Sequence, residues 1–431
     1  MYIAAAIRLS MPDRRSAAQP PVPAAHPADP FLLALAEQRF PGGVAVPRDG
    51  DARTAAADTK RLLQEGATTI YGAAFLHDGF LASIDILVQQ RGRWFAYLLR
   101  PSTRVKEHQL VDAALHDTVL RGAGLVVDEW CLLLLNPQYV RRGHLSPEEL
   151  FTETRVAKRL KALAPQVRPR MQMLKRMNSR DRARAAAGEA PYQRPPGSRG
   201  GAAPGTPEGP VELIVSRPAL RSFLDGLQYP LYFMDFESYQ EAIPEWDGHW
   251  PFRQLPFGYS VHRLDAPGAE PQHEAFVAPT NREPTASFGE ALLQATGDRG
   301  TVLVYNRDSE QLTLEQLKAD HPQWKEAIEA LSARLVDLML PFSQKIVEIP
   351  GIGNKLSLKY VLPSLVPDMS YALLAIGSGD HANQAYNALR ASTDPAFIEA
   401  TRKDLLEYSE LDTLAMVRIL ERLYELAKEP S

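Results

Sequence analysis

The chain has 431 residues, 45% of them hydrophobic and 23% charged, a formal net charge of −4 and a single cysteine. This length exceeds what one hydrophobic core usually serves, so two domains are expected, and the composition excludes collagen-like, coiled-coil and wholly disordered chains. The lone Cys131 excludes internal disulfides and a four-cysteine iron–sulfur cluster and fits a reducing cytoplasm, while no stretch reaches the roughly 18 apolar residues of a membrane span.

The opening MYIAAAIRLSMPDRR has no basic segment ahead of its short apolar stretch, so no signal peptide is expected. Residues 1–30 turn Ala/Pro-rich without periodicity and read as a disordered tail. A first domain at 31–176 follows in α/β order. Helices are predicted near 31–38, 54–64 and 110–121, and strands at 68–75, 80–89, 93–99 and 130–135. Between 177 and 210, Gly, Pro, Ala and Arg dominate and no apolar face can be drawn, which marks a linker. Arg155 to Arg199 holds thirteen Lys and Arg against Asp181 and Glu189 alone. Such a local excess suits either a phosphate-backbone contact or a solvated linker.

The second domain, 211–431, opens with a strand and short helix in PVELIVSRPALRSFLDGL. The strand PLYFMDFESY comes next, then QLPFGYSVHRL, expected to pair with EAFVAPT. Helices at 287–295 and 310–319 flank the buried strand TVLVYN, and 394–429 reads as a long helix with Leu405, Leu411, Leu414 and Ile419 near helical spacing.

Three short patterns in this domain carry chemistry. Asp235 and Glu237 lie two apart on a strand whose side chains alternate, so both carboxylates face one side. Divalent cations would let both stay ionised there; a bare D-x-E also fits solvated acids at a strand end. Asn306 and Glu310 are four apart where TVLVYN passes into a helix, whose N-terminus favours an acid, and Asp308 is an alternative N-cap. Tyr408 and Asp412 are separated by one helical turn, at the border of an apolar stripe.

Together, D-x-E on a first strand, N-x-x-x-acid after an inner strand and Y-x-x-x-D on a C-terminal helix resemble the DEDD superfamily of 3′-to-5′ exonucleases, in its tyrosine subgroup. The segments MDFESY, LPFGYSVH, LVYN, VDLMLPF, LSLKYVLPSLVPDMSY and EYSELDTLAM are similar to a bacterial family, the domain of unknown function 2779, that carries this fold. The resemblance implies a ribonuclease-H-like mixed sheet flanked by helices. It also implies two Mg²⁺ or Mn²⁺ ions held by Asp235, Glu237, Glu310 and Asp412, with Tyr408 orienting the attacking water. Glu310 departs from the Asp usual at the second motif, which leaves Glu310 and Asp308 open as the fourth ligand. Asn306, Lys355 and Lys359 are candidate substrate contacts, and Trp246, Trp250, Phe252, Phe257 and Tyr259 form an aromatic cluster that either stacks an unpaired base or packs a core.

In the first domain, Asp85 sits inside an apolar hairpin where RecB-like PD-(D/E)XK nucleases keep a metal-binding Asp. The following strand should end in E-x-K but reads Leu98, Leu99, Arg100, and His116 and Thr118 fall where that group often has Gln. The resemblance is to a restriction-endonuclease-like α/β fold in degenerate form. The expected function is metal-dependent hydrolysis of DNA or RNA from a single-stranded 3′ end in the cytoplasm, away from membranes. An inactive nucleic-acid-binding or assembly protein is the alternative.

Overall fold

The structure is a computed structural model that describes residues 7–9, 29–47, 51–176, 213–371 and 374–428. The expected linker, most of the expected tail and the basic residues beyond Arg176 lie outside the described residues. The protein is α/β and divides into two compact units, Met1–Ala190 with Glu241–Arg253, and Pro191–Gln240 with Gln254–Ser431.

The first unit runs β1 (Ile7–Leu9), α1 (Pro30–Glu37), β2 (Val44–Ala45), α2 (Ala52–Gln64), β3 (Thr69–His77), β4 (Phe80–Gln90), β5 (Arg93–Arg100), α3 (Glu107–Gly122), β6 (Glu129–Leu135), α4 (Pro147–Leu150), β7 (Phe151–Arg155) and α5 (Ala157–Arg176). Its sheet has the order β2-β3-β4-β5-β6-β7, with β1 paired to β4. β3, β4 and β5 are joined by two-residue turns, and all four turn residues, Asp78, Gly79, Arg91 and Gly92, take the positive φ that matches strand twist. β5 and β6 are parallel, so the chain must cross over, and α3 is that crossover. At the level of Asp85 the inward face of β4 switches: Ala82 and Ile84 join Leu87 in the cluster under α3, while Ile86 and Val88 join the cluster under α1. Gly72 on β3, with φ of 67°, absorbs the irregularity.

Two sequence expectations change here. Within the expected tail, Ile7–Leu9 pairs with Phe80–Ala82, because β5 covers only the far half of β4 and leaves that edge open. Residues 241–253, expected in the second domain, belong to the first unit. Ala242, Ile243 and Phe252 pack into the α1-side core. The Arg141 guanidinium donates to the carbonyls of Pro244 (3.0 Å) and Glu245 (2.7 Å), and the Gly143 N–H donates to Asp247 (2.7 Å).

The second unit runs β8 (Ile214–Val215), α6 (Arg217–Asp225), β9 (Leu231–Gln240), β10 (Gln254–Leu264), β11 (Gln272–Val277), α7 (Thr285–Ala295), β12 (Thr301–Val304), α8 (Arg307–Asp320), α9 (Lys325–Ala333), β13 (Leu335–Asp337), α10 (Leu340–Ser343), β14 (Val347–Glu348), α11 (Leu358–Leu365), α12 (Gly379–Ala391) and α13 (Pro395–Lys428). Its main sheet has the order β11-β10-β9-β12-β13, with β8 and β14 pairing separately. β10 runs antiparallel to both β9 and β11, whereas β12 runs parallel to β9 and β13 parallel to β12. This is the mixed sheet flanked by helices that the sequence leads one to expect.

β9 is central, and its alternation sets up everything that follows. Tyr232 and Met234 pack with Phe288, Leu292, Leu314 and Leu317 of α7 and α8 on one face. Leu231 and Phe233 pack with Ala415, Met416, Ile419 and Leu420 of α13 on the other. Asp235 and Glu237 continue the α13 face, so the strand turns from apolar to acidic beneath the N-terminal half of that helix.

Candidate metal and nucleic-acid site

Asp235 and Glu237 lie in β9 just past Phe233, its last residue paired with parallel β12, and so beside the C-terminal end of β12, where open α/β sheets form their crevices. Asp412 descends from α13. One carboxylate oxygen from each of Asp235, Glu237 and Asp412 lies within 4.8 Å of the others. Tyr408 lies one helical turn before Asp412, and its hydroxyl donates to that carboxylate. Gly258 of β10 lies between the two neighbouring strands here, opposite Glu237 of β9 and Val277 of β11: a Cβ there would meet the Phe276 carbonyl at 3.1 Å and Glu237 Cβ at 3.6 Å.

The second motif is arranged differently from its linear reading. TVLVYN leaves the sheet after Val304, and Asn306 takes a left-handed conformation (φ 70°) as the N-cap of α8. Asp308 is therefore a first-turn residue and not the cap, and it is exposed, whereas Glu310 is buried, 4% exposed. Glu310 lies outside the tight trio yet close enough for its charge to act on Asp235. Its Oε2 is buried with no hydrogen-bond partner among the described residues. Asn306 is itself exposed, and its backbone N–H donates to Asp337 at 3.0 Å.

Four acids gathered out of water repel one another. Burial first, then Asp412, Glu237 and Glu310, raise the Asp235 carboxyl well above the usual range, and burial followed by Asp412 does the same for Glu237. Burial pushes Glu310 up to about 7, with Asp337 adding to the shift. Asp412 rises to about 6, again through burial, although hydrogen bonds from Tyr371 and Tyr408 pull it back. Burial and the neighbouring acids raise both phenols far above their ordinary range, so each stays protonated.

The candidate substrate lysines separate. Lys359, in the first turn of α11, is half-buried, donates to the Gly377 carbonyl, and lies where Asp412, Asp380 and Glu237 partly offset the lowering of its pKa by burial. Lys355 precedes the helix and is exposed, over the Tyr360 ring at 5.2 Å. The aromatic residues of the expected cluster divide between the two units. Phe252 packs in the first unit, where Trp250 carries the Arg253 guanidinium 4.6 Å from its ring. In the second unit Phe257 stacks on Tyr386 at 3.8 Å, and Tyr259 sits edge-on to Phe288 in the core.

Sequence reasoning missed two participants. Tyr371 donates to Asp412 Oδ1 from a loop 41 residues upstream, a separation with no periodic signal. Asp337 ends β13 and accepts from the N–H groups of Asn306 and Met339 (2.8 Å), fixing the turn that aims Glu310.

The first unit holds a second acidic cluster. Asp85 accepts from the Leu99 N–H at 2.8 Å, and Arg100 reaches both Asp85 (3.6 Å) and Asp112, a tight ion pair. His116 is buried and hydrogen-bonded through Nδ1 to the Asp112 carbonyl at 2.8 Å, and Thr118 bonds back to the Ala114 carbonyl. The guanidinium thus lies between the two carboxylates.

Residues 232–357 match a family described as a domain of unknown function, DUF2779. The matched span takes in Asp235, Glu237, Glu310 and Asp337 and ends before Lys359, Tyr371, Tyr408 and Asp412. No curated protein matches the chain. Among the described residues no helix is long and apolar enough to cross a membrane.

Proposed function

We propose that the second unit is a metal-dependent 3′-to-5′ exonuclease of the DEDD type with a tyrosine at its last motif, acting on DNA or RNA. The observation that carries this reading is the convergence of Asp235, Glu237 and Asp412 within 4.8 Å in a mostly buried crevice, with the Glu310 carboxylate beside them.

The donor set fits hard divalent cations. It is all oxygen, it contains a buried carboxylate oxygen with no hydrogen-bond partner among the described residues, and burial, with the neighbouring acids, holds its carboxyls above their ordinary range. Asp235, Glu237, Glu310 and Asp412 would hold two Mg²⁺ or Mn²⁺ ions, which supply Lewis-acid stabilisation at the attacking and leaving oxygens.

The chain's own groups do the rest. Tyr371 and Tyr408 donate to Asp412 and fix its rotamer, so this ligand is held in place before substrate arrives. Tyr408, protonated at any neutral pH, orients water by hydrogen bonding and does not take its proton. Lys359 offers a fixed cation to a backbone phosphate at the crevice, a role open to it because its ammonium is held by Gly377. The substrate end in this reading is a single-stranded 3′ terminus, whose unpaired nucleotides can be splayed towards buried carboxylates.

A 5′-labelled single strand incubated with the full-length protein and Mn²⁺ is expected to yield a ladder shortening from its 3′ end. Binding without cleavage under Mg²⁺ or Mn²⁺ would instead support a nucleic-acid-binding or assembly protein built on nuclease-like domains. Product from dinucleotides alone would point to small nucleotides as substrate.

A further inference from the structure

On the far edge of the same sheet, His262 of β10 and His273 of β11 are direct cross-strand partners, with ring centroids 4.5 Å apart. Glu410 of α13 stands over them, its Oε1 3.7 Å from His273 Nδ1. One nitrogen from each ring and one Glu410 oxygen lie within 4.8 Å of one another.

The surroundings of these rings are those of ligands. His262 Nδ1 is hydrogen-bonded to the Thr413 hydroxyl at 2.8 Å and His273 Nε2 to the Ser260 hydroxyl at 2.9 Å, while the two hydroxyls bond each other at 2.7 Å. This chain fixes both ring orientations and leaves His262 Nε2 and His273 Nδ1 outside it, as metal-binding histidines require. Burial lowers His262 to about 4 and lowers His273 too, so both imidazoles are neutral, the ligating form, at pH 7. Ligands of a tetrahedral zinc ion stand about 3.3 Å apart, given bonds of about 2.0–2.1 Å, so the set, within 4.8 Å, is near that spacing and the exposed Glu410 side chain is the member free of the hydroxyl chain. His262 is buried, 3% exposed, whereas the side chains of His273 and Glu410 are 24% and 50% exposed, which gives an ion an entry path.

We infer that His262, His273 and Glu410 form a second metal site, selective for Zn²⁺ or a similar borderline ion and distinct from the all-oxygen carboxylate site. Two imidazoles and one carboxylate suit zinc with a fourth position open to water. The bound ion would clasp the β10–β11 hairpin to α13 at the turn that carries Asp412. Because Thr413 belongs to the hydroxyl chain, the clasp would also fix the register of that helix over β9.

The test uses the full-length protein stripped with chelator and titrated with Zn²⁺ against a chromophoric competitor, with Co²⁺ absorption reporting nitrogen ligation. Wild type is expected to take up one Zn²⁺ at this site with a dissociation constant on the order of a micromolar or tighter, and to gain thermal stability. His273→Ala and Glu410→Gln, both at accessible side chains, should each weaken uptake by at least about tenfold with an unchanged circular dichroism spectrum. Asp235→Asn should leave it intact. No uptake by wild type, or uptake untouched by both clasp variants, overturns the inference. So does uptake lost in Asp235→Asn, which would move the zinc to the carboxylate site. Exonuclease activity plays no part in this readout, so the two proposals stand or fall separately.

Discussion

Each unit of this protein gathers acids beside a central strand, yet the two gatherings differ in how their charge is met. In the first, Arg100 lies between Asp85 and Asp112 and neutralises them from within the chain. In the second, the groups that touch Asp412 are neutral phenols, and Lys359 acts from further off, so four acids remain above their ordinary range. A carboxylate pair closed by a guanidinium is finished as a structural ion pair. A carboxylate group closed only by phenols still lacks positive charge, and that deficit is what a cation-binding site needs.

The comparison breaks most sharply at the acids themselves. Asp235→Asn or Asp412→Asn should lower cleavage by roughly a thousandfold, since Lewis-acid stabilisation is worth several kcal/mol and each 1.4 kcal/mol is a factor of ten. Asp85→Asn should leave the rate unchanged. Single-turnover rates with Mn²⁺ decide it, and equal losses in all three variants would mean that the first unit is catalytic after all.

Removing the guanidinium comes next in size. Arg100→Ala leaves Asp85 and Asp112 facing each other with side chains only 17% exposed, which should cost about 2–3 kcal/mol. Denaturant unfolding measures the loss. Adding Asp112→Ala should recover most of it, and Mn²⁺ should stabilise Arg100→Ala more than wild type, because the vacated pair then lacks a cation. A single variant as stable as wild type would show that the ion pair matters little.

Why one site was legible in sequence and the other only half so follows from where their residues lie. D-x-E and Y-x-x-x-D are local: strand alternation and the helical turn put each pair on one face, and the apolar residues at 231, 233, 415 and 416 say which face is covered. Strands β3 to β5 were equally plain, since two-residue turns at Asp78 and Arg91 punctuate them. What escaped was non-local. Tyr371 and Asp337 act from loop and strand ends whose positions depend on the whole sheet. Arg100 reads as a loss in the linear motif, and only the fold shows that it fills the place between two acids. The loop at 241–253 carries aromatic residues that suit either unit, and no pattern in the chain assigns it to the first.

The phenols test whether neutral partners merely position Asp412. Tyr371→Phe and Tyr408→Phe each delete one hydrogen bond to a charged acceptor, worth about 1.5–3 kcal/mol, so each should lower affinity for Mn²⁺ by about tenfold. Tyr408→Phe should also lower the rate at saturating metal, because the proposed function gives Tyr408 the water-orienting role. Equal rates for the two variants at saturating Mn²⁺ would remove Tyr408 from that role.

The smallest effect is a pH dependence of stability at the second unit's acids. Asp412 titrates near 3.8 when unfolded and about 6 when folded, and Glu310 near 4.5 and about 7. Between these values the folded, metal-free protein holds protons that the unfolded chain has released. Their contribution to stability is therefore full below about 4 and is lost as pH rises through 6 and 7. Relative to Asp412→Asn/Glu310→Gln, metal-free wild type should lose a few degrees of Tm between pH 5 and pH 8, since a change of about 1 kcal/mol moves Tm by roughly 2–4 °C in a domain of this size. Mn²⁺ should reverse the slope, because its ligands must be deprotonated and its hold strengthens as pH rises. A wild-type curve parallel to that of the double variant, with and without Mn²⁺, would mean that these acids are compensated within the chain, as Asp85 and Asp112 are.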